Sequence, residues 1–319
     1  MKATKRRAIL VSILATPVLA AGAQTARPVR FIVPFPPGGT ADLLARLVAR
    51  EMETRLGAPV VVENRAGAGG VVGSDSVAKS PADGTTILLS NIASQGIAPA
   101  ILPSMPYDVL RDFTHIGLLA AVPSAIAVSA TGRPWQSLPA LIAAAREKPG
   151  TIRFGSNGNG TSSHAKLEIL KRLAGVDITH VPYRGAAPAA TDVIAGNIDG
   201  LIAAIPDVGR NERLRLLAMT TEQRLARWPD VPSVAELGLA PLVAANWFGI
   251  SGPAGIPAPV ADRLNAALVE SLATPALTER LSELGAAPNR LDRPGFTALV
   301  AADMARWAQI VREAGIKAD

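Results

Sequence analysis

Two short segments carry residue types that can hold an anion. They are Phe35-Pro36-Pro37-Gly38-Gly39-Thr40-Ala41-Asp42 and Gly155-Ser156-Asn157-Gly158-Asn159-Gly160-Thr161-Ser162-Ser163-His164. Each lies between a strand pattern and a helix pattern. In both, glycines let the backbone approach a ligand closely, while threonine or serine offers an N-cap and a hydroxyl donor. The unpaired N–H groups and dipole of the helix N-terminus then favour negative charge. One such loop is ordinary turn chemistry. Two of them, in distant parts of the chain, read as jaws that close on one anionic ligand.

The motifs that would signal catalysis fail on inspection. Gly67-Ala68-Gly69-Gly70-Val71-Val72-Gly73 is one residue out of register with the dinucleotide fingerprint, since Val72 stands where glycine is needed. Gly160 is followed by Thr161, not by the lysine of a phosphate-binding loop. No G-x-S-x-G nucleophile elbow occurs. The three histidines, His115, His164 and His180, match no metal-ligand spacing. His164 and Glu168, one helical turn apart, can share a metal or form a plain helix-surface pair. Arg184, in Tyr183-Arg184-Gly185 after a strand, reads as a carboxylate partner or a solvated loop cation. Asp42, in the first turn of its helix, stabilises the dipole or touches ligand. Neither a metal nor a cofactor is expected.

The elements that must position these loops alternate in short order. Strand patterns fall at 29–33, 60–63, 86–90, 115–119, 125–129, 152–156, 178–182, 198–205, 214–219 and 247–251. Helical periodicity falls at 41–56, 137–148, 163–174, 188–195, 258–272, 275–284 and 294–315. Alternating β and α elements predict parallel sheets with helices on both faces, and ligands in such sheets sit at the carboxyl edge of the strands. The stretch 221–245 is irregular. No internal repeat and no low-complexity linker separates the halves.

Composition narrows the class. The 319 residues are 49% hydrophobic and only 4% aromatic, so the apolar mass is mostly aliphatic, as in sheets buried on both faces. Lys2, Lys5, Arg6 and Arg7, the apolar run 8–20 and Ala21-Gly22-Ala23 form an export leader over 1–23. The run is too short for a membrane-spanning helix. The Arg6-Arg7 pair fits twin-arginine export poorly, and the general secretory route is expected. Removing those four basic residues lowers the formal charge from +6 to +2, and the remaining basic residues are scattered, which argues against a nucleic-acid surface. Cysteine is absent, so there is no disulfide, no thiolate chemistry and no lipidated cysteine. The expectation is a product free in the periplasm and not embedded in the membrane.

Longer motifs carry a resemblance. Pro28-Val29-Arg30-Phe31-Ile32-Val33-Pro34-Phe35-Pro36-Pro37-Gly38-Gly39-Thr40-Ala41-Asp42 resembles the opening of the Bug family, the substrate-binding proteins of tripartite tricarboxylate transporters. Val61-Val62-Glu63-Asn64-Arg65, Pro81-Ala82-Asp83-Gly84-Thr85-Thr86, Val181-Pro182-Tyr183-Arg184-Gly185 and Pro229-Asp230-Val231-Pro232-Ser233 extend it over nearly the whole chain after the leader.

The resemblance implies an α/β, two-lobed periplasmic-binding-protein fold of type II-like kind. Each lobe would be a mainly parallel sheet flanked by helices, with the ligand cleft between them. Lobe one would comprise 24–122 plus 246–319, and lobe two 123–245. It implies capture of a small mono-, di- or tricarboxylate or acidic amino acid, and no catalysis. Site residues would be Phe35, Pro37, Gly38, Gly39, Thr40 and Asp42 on one side, with Ser90 and Asn91 bordering the cleft. Ser156, Asn157, Gly158, Gly160, Thr161, His164, Tyr183, Arg184 and Gly185 would lie on the other.

One departure matters. The family usually carries an aspartate a few residues after the match to Asn197-Ile198-Asp199-Gly200, and Leu201–Pro206 lacks it here. Asp207 stands as a substitute, so a ligand identity is not inherited. The implied partners are the membrane subunits of a transporter, or a sensor, with the protein itself monomeric. Two alternatives compete: an exported α/β hydrolase, which needs a nucleophile and base, and an intracellular nucleotide-binding protein, which needs an uncleaved N-terminus.

Overall fold

The computed structural model describes residues 27–314, and the leader expected over 1–23 lies outside them. Two sheets form. The first has the order β11-β4-β10-β3-β1-β2 and the second β7-β6-β8-β5-β9. In the first, β1 (Val29–Val33) pairs in parallel with β2 (Val60–Asn64) and β3 (Thr86–Asn91). The strand β10 (Asn246–Pro253) runs antiparallel between β3 and β4 (Phe113–Val122), and β11 (Ala287–Pro288) closes the edge. In the second, β6 (Arg153–Ser156) is parallel to β7 (Thr179–Pro182) and β8 (Gly200–Ala204), while β5 (Ser124–Ser129) is antiparallel to β8 and to β9 (Leu214–Met219).

Both sheets are therefore mixed, where mainly parallel ones were expected. Residues in β3, β5, β8 and β10 are buried along their whole length. A strand covered on both faces has no alternation to reveal its direction, and only the crossovers decide it.

Helices cover the sheets. In α1 (Thr40–Leu56), Leu44, Val48 and Met52 form a buried stripe, and Gly57 ends the helix in a left-handed conformation, φ 61°, that glycine adopts without strain. The others that matter below are α2 (Val71–Ala78), α3 (Ala98–Ile101), α4 (Leu138–Glu147), α5 (Ser162–Ala174), α6 (Ala186–Ala195) and the single turn α7 (Ile205–Val208). A π-helical turn, Ala93–Ile97, follows β3. After β10 come α8 (Ala258–Leu272), α9 (Pro275–Glu283) and α10 (Arg293–Ala314).

The last helix returns to the first sheet. Phe296 and Trp307 are fully buried there, Phe296 edge-on to Trp247 at 5.7 Å between ring centroids.

The chain passes between the sheets twice, from β4 to β5 through Pro123 and from β9 to β10 through residues 220–245. Thr220 ties the crossings together: its Oγ1 accepts from Ser124 N at 3.0 Å and donates to Ala244 O at 3.0 Å. No helix among the described residues is long and apolar enough to cross a membrane.

Candidate functional site

Three helices point their N-termini into one cavity between the sheets. Its wall takes Gly39, Thr40 and Ala41 from α1, Thr161 and Ser162 from α5, and Gly185, Ala186, Ala187 and Pro188 from α6. None of these helices is capped by the side chain of the residue that precedes it. The rest of the wall is mostly apolar: Phe35, Pro36, Pro37, Ile92, Ala93, Ala204 and Phe248. The cavity holds about 150 Å³, small for a ligand site, which fits a compact solute. A wider vestibule adjoins it, lined by residues 66–70 and 157–159 and by Tyr183 and Arg184.

At the α1 end a carboxylate is already in place. Asp207 Oδ1 accepts from Thr40 N at 2.9 Å and from Thr40 Oγ1 at 2.8 Å, a bond from the first sheet's helix to the second sheet's single turn α7. Burial pushes the Asp207 carboxyl up to about 6, against the two hydrogen bonds from Thr40, which pull it down.

The α5 end is backed by a buried cation. Lys166, one turn into α5, is wholly inaccessible to solvent and donates to Ser124 Oγ at 2.8 Å and to Asn246 Oδ1 at 3.1 Å. Asn246 lines the cavity, accepts from Ser162 Oγ and donates from Nδ2 to Ser124 Oγ at 3.1 Å. Desolvation pulls Lys166 down to about 7, assisted by Arg306 and opposed by Asp303. The network joins the cavity wall to both chain crossings.

The residues expected from the sequence divide into three groups. Phe35, Pro37, Gly39, Thr40, Asn91, Asn157, Thr161, Arg184, Gly185 and Asp207 line the cavity. Gly158 and Tyr183 line only the vestibule. Gly38, Asp42, Ser90, Ser156, Gly160 and His164 line neither.

Asp42 accepts from Gly38 N, from Arg46 and from Asn64, which binds the loop to its own helix. Burial alone would raise its carboxyl, but those bonds hold it below the usual range. Ser90 pairs with Ser251 inside the first sheet. Ser156 Oγ meets His180 Nε2 at 2.6 Å, and the His180 ring stacks on His164 at 4.2 Å. His164 Nδ1 in turn accepts from Gly160 N at 3.3 Å, so this pair shapes the loop. Glu168 is engaged by Lys171 at 3.0 Å, and no metal-binding cluster exists among the described residues. Even Asn91 spends its Oδ1 as a cap on Ala93 N and Ser94 N.

Sequence reasoning missed Asn246, Phe248, Ala186, Ala187 and Lys166. The alanines follow Gly185 directly and escaped because the helix was expected to begin at 188, whereas it begins at Ala186. Asn246 and Lys166 carry no local signal, since their partners lie far away in the chain.

Known proteins share this arrangement. Residues 44–316 match the model of the tripartite tricarboxylate transporter family receptor. Protein BugT of Bordetella pertussis is 38% identical over 326 residues, covering 99% of each chain. An R. palustris protein solved with adipate superposes with a TM-score of 0.88 at 33% identity, covering 92% of this chain and 99% of that one. MatC of Rhodopseudomonas palustris, solved with bound malate, gives 0.85 at 30% identity, covering 90% and 99%. These relatives are two-lobed periplasmic substrate-binding proteins and not enzymes, so the hydrolase alternative finds no support.

Proposed function

The chain belongs to the tripartite tricarboxylate transporter receptor family, and from that premise we propose that it captures a small carboxylate in the cavity between its sheets. The observation that carries the reading is the convergence of three helix N-termini, those of α5 and α6 without a side-chain cap, on one small and largely apolar space. A carboxylate there replaces water with fixed N–H donors, and closure around it removes the competing solvent. Dicarboxylates bound to similar proteins, adipate and malate, support the ligand class.

Lobe one spans 24–122 plus 246–319 and lobe two 123–245, a division supported by the strands each sheet recruits. The residues of the earlier list that line the cavity form the site, with Gly158 and Tyr183 at its entrance. The leader, 1–23, is removed on export, and with no cysteine to acylate the product is a free periplasmic monomer. The closed form presents a composite surface to the membrane subunits of the transporter or to a sensor.

Thermal unfolding against a panel of small carboxylates tests the reading, using protein unfolded and refolded to strip bound ligand. A true ligand at about 100 times its dissociation constant adds about 2.7 kcal/mol and raises the midpoint visibly. A flat response to every acid, with a shift from neutral solutes, would remove the carboxylate from the reading.

A further inference from the structure

The cavity has two unlike poles. At one, Asp207 presents a carboxylate to the space beside Gly39 and Thr40. Only its Oδ1 is engaged; among the described residues no donor reaches Oδ2 and no cation forms an ion pair with it. At the other, α5 and α6 offer uncapped N-termini, Lys166 stands behind Ser162 and Asn246, and Arg184 borders the mouth without a hydrogen bond or ion pair among the described residues. The same wall includes Pro36, Phe248 and the alanines of α6, which suit methylene groups.

The anion seat at the α1 N-terminus is thus filled by the protein itself. A ligand carboxylate placed there would meet Asp207 at hydrogen-bond range, and two like charges in a site shielded from water disfavour each other strongly. A cationic nitrogen in the same place would gain a charge-assisted bond to Oδ2. Building on the capture reading, we propose that Asp207 determines specificity, and that the ligand is a small zwitterion. Its one carboxylate lies at the α5 and α6 N-termini, and an ammonium at its far end pairs with Asp207.

Matched ligands separate the possibilities. Calorimetric titration at pH 7.5 would compare β-alanine, 4-aminobutyrate and 5-aminovalerate with malonate, succinate and glutarate, and with propionate, butyrate and valerate. The wild-type protein should bind the best amino acid at least tenfold tighter than the dicarboxylate and the plain acid of equal length. Asp207→Asn keeps an acceptor for Thr40 N, and the preference for the amino acid over the plain acid of equal length should fall at least tenfold, with circular dichroism and a cooperative urea transition reporting that the variant folds. A dicarboxylate that binds wild type more tightly than its amino partner overturns the inference and leaves carboxylate capture standing. So does an amino acid whose affinity ignores Asp207→Asn. If none of the nine ligands binds, capture of a short carboxylate and the inference fall together.

Discussion

Asp207 ionises against its surroundings, and that has a measurable consequence for stability. In the folded chain it keeps its proton up to about 6, whereas an unfolded aspartate releases it near 3.8. Between those values the folded state binds more protons, so this residue makes the protein less stable as pH rises through the window. The loss is on the order of 1–3 kcal/mol, the lower end applying because the side chain is partly open to the cleft. Asp207→Asn removes it. Urea midpoints taken at pH 4.5 and 7 should therefore show the variant gaining on wild type at the higher pH, and equal gaps at both would contradict the assignment. Binding of an ω-amino acid should follow the opposite course and strengthen as pH rises through about 6, because the ionised form is the partner; a flat profile over pH 5–7.5 is the contrary result. At this scale the sequence was half legible. The loop residues Gly39, Thr40 and Thr161 announce themselves by type and neighbourhood. Asp207 stands out as an acid in a segment that lacks the family's own. Its bond to Thr40 crosses 167 positions, and no local pattern encodes that.

Elements decide where those residues stand. Lys166 joins α5 to both crossings through Ser124 and Asn246, so the helix that offers its N-terminus to the ligand is fastened to the hinge. Its ammonium loses a proton near pH 7 in the folded chain, while the unfolded chain holds it to about 10.5. Within that window the unfolded state binds more protons, and stability rises with pH. From pH 7 to 9 the gain is about 2 kcal/mol, and Lys166→Met, similar in size and uncharged, should abolish it. Equal pH slopes for the two proteins in urea unfolding would show that the amine titrates elsewhere. A second element-scale test concerns α10. A Cβ at Gly249 would lie 2.2 Å from the Phe296 ring, so this bare stretch of β10 is what lets the helix dock. Gly249→Ala should cost about 1–3 kcal/mol by overpacking, read as a lower urea midpoint. The helices were legible within a residue or two at 138–147, 162–174 and 258–272, where an apolar stripe repeats. Strand direction was not, and neither was α2, whose glycine-rich start hides a short helix with little amphipathic contrast.

At the scale of the whole molecule, the lips of the cleft already touch. A Cβ at Gly69, in the first lobe, would lie 3.2 Å from the Asn159 carbonyl in the second, and Arg210 reaches Glu283 across the gap at 3.7 Å. The Thr40–Asp207 bonds also cross from one sheet's elements to the other's. All are polar or glancing, while the covalent connections are only two crossings pinned by Thr220 and Lys166. Buried apolar residues of both lobes, Ile97 and Trp307 in one and Ala165 and Leu170 in the other, belong to one cluster, so the expected opening is a hinge about the crossings that parts the lips and not a separation of the lobes. The resemblance to clamshell binding proteins made this architecture legible early; the contacts that bias it became visible only with both lobes in place. Because the chain has no cysteine, single thiols can be introduced without background labelling. Val72 and Leu173, 52% and 40% exposed, lie on opposite lobes and take spin labels at little cost to packing. Pulsed dipolar distances between them should be broad without ligand and collapse to a single short population with it, since a ligand shifts the balance only by binding the closed form better. With Asp207→Asn the ligand-free distribution should move toward longer distances, because the charged acceptor that draws Thr40 across the cleft is weakened. A ligand-free distribution that is narrow, short and indifferent to Asp207→Asn would mean that the lobes form one rigid body and that ligand enters through the vestibule without closure.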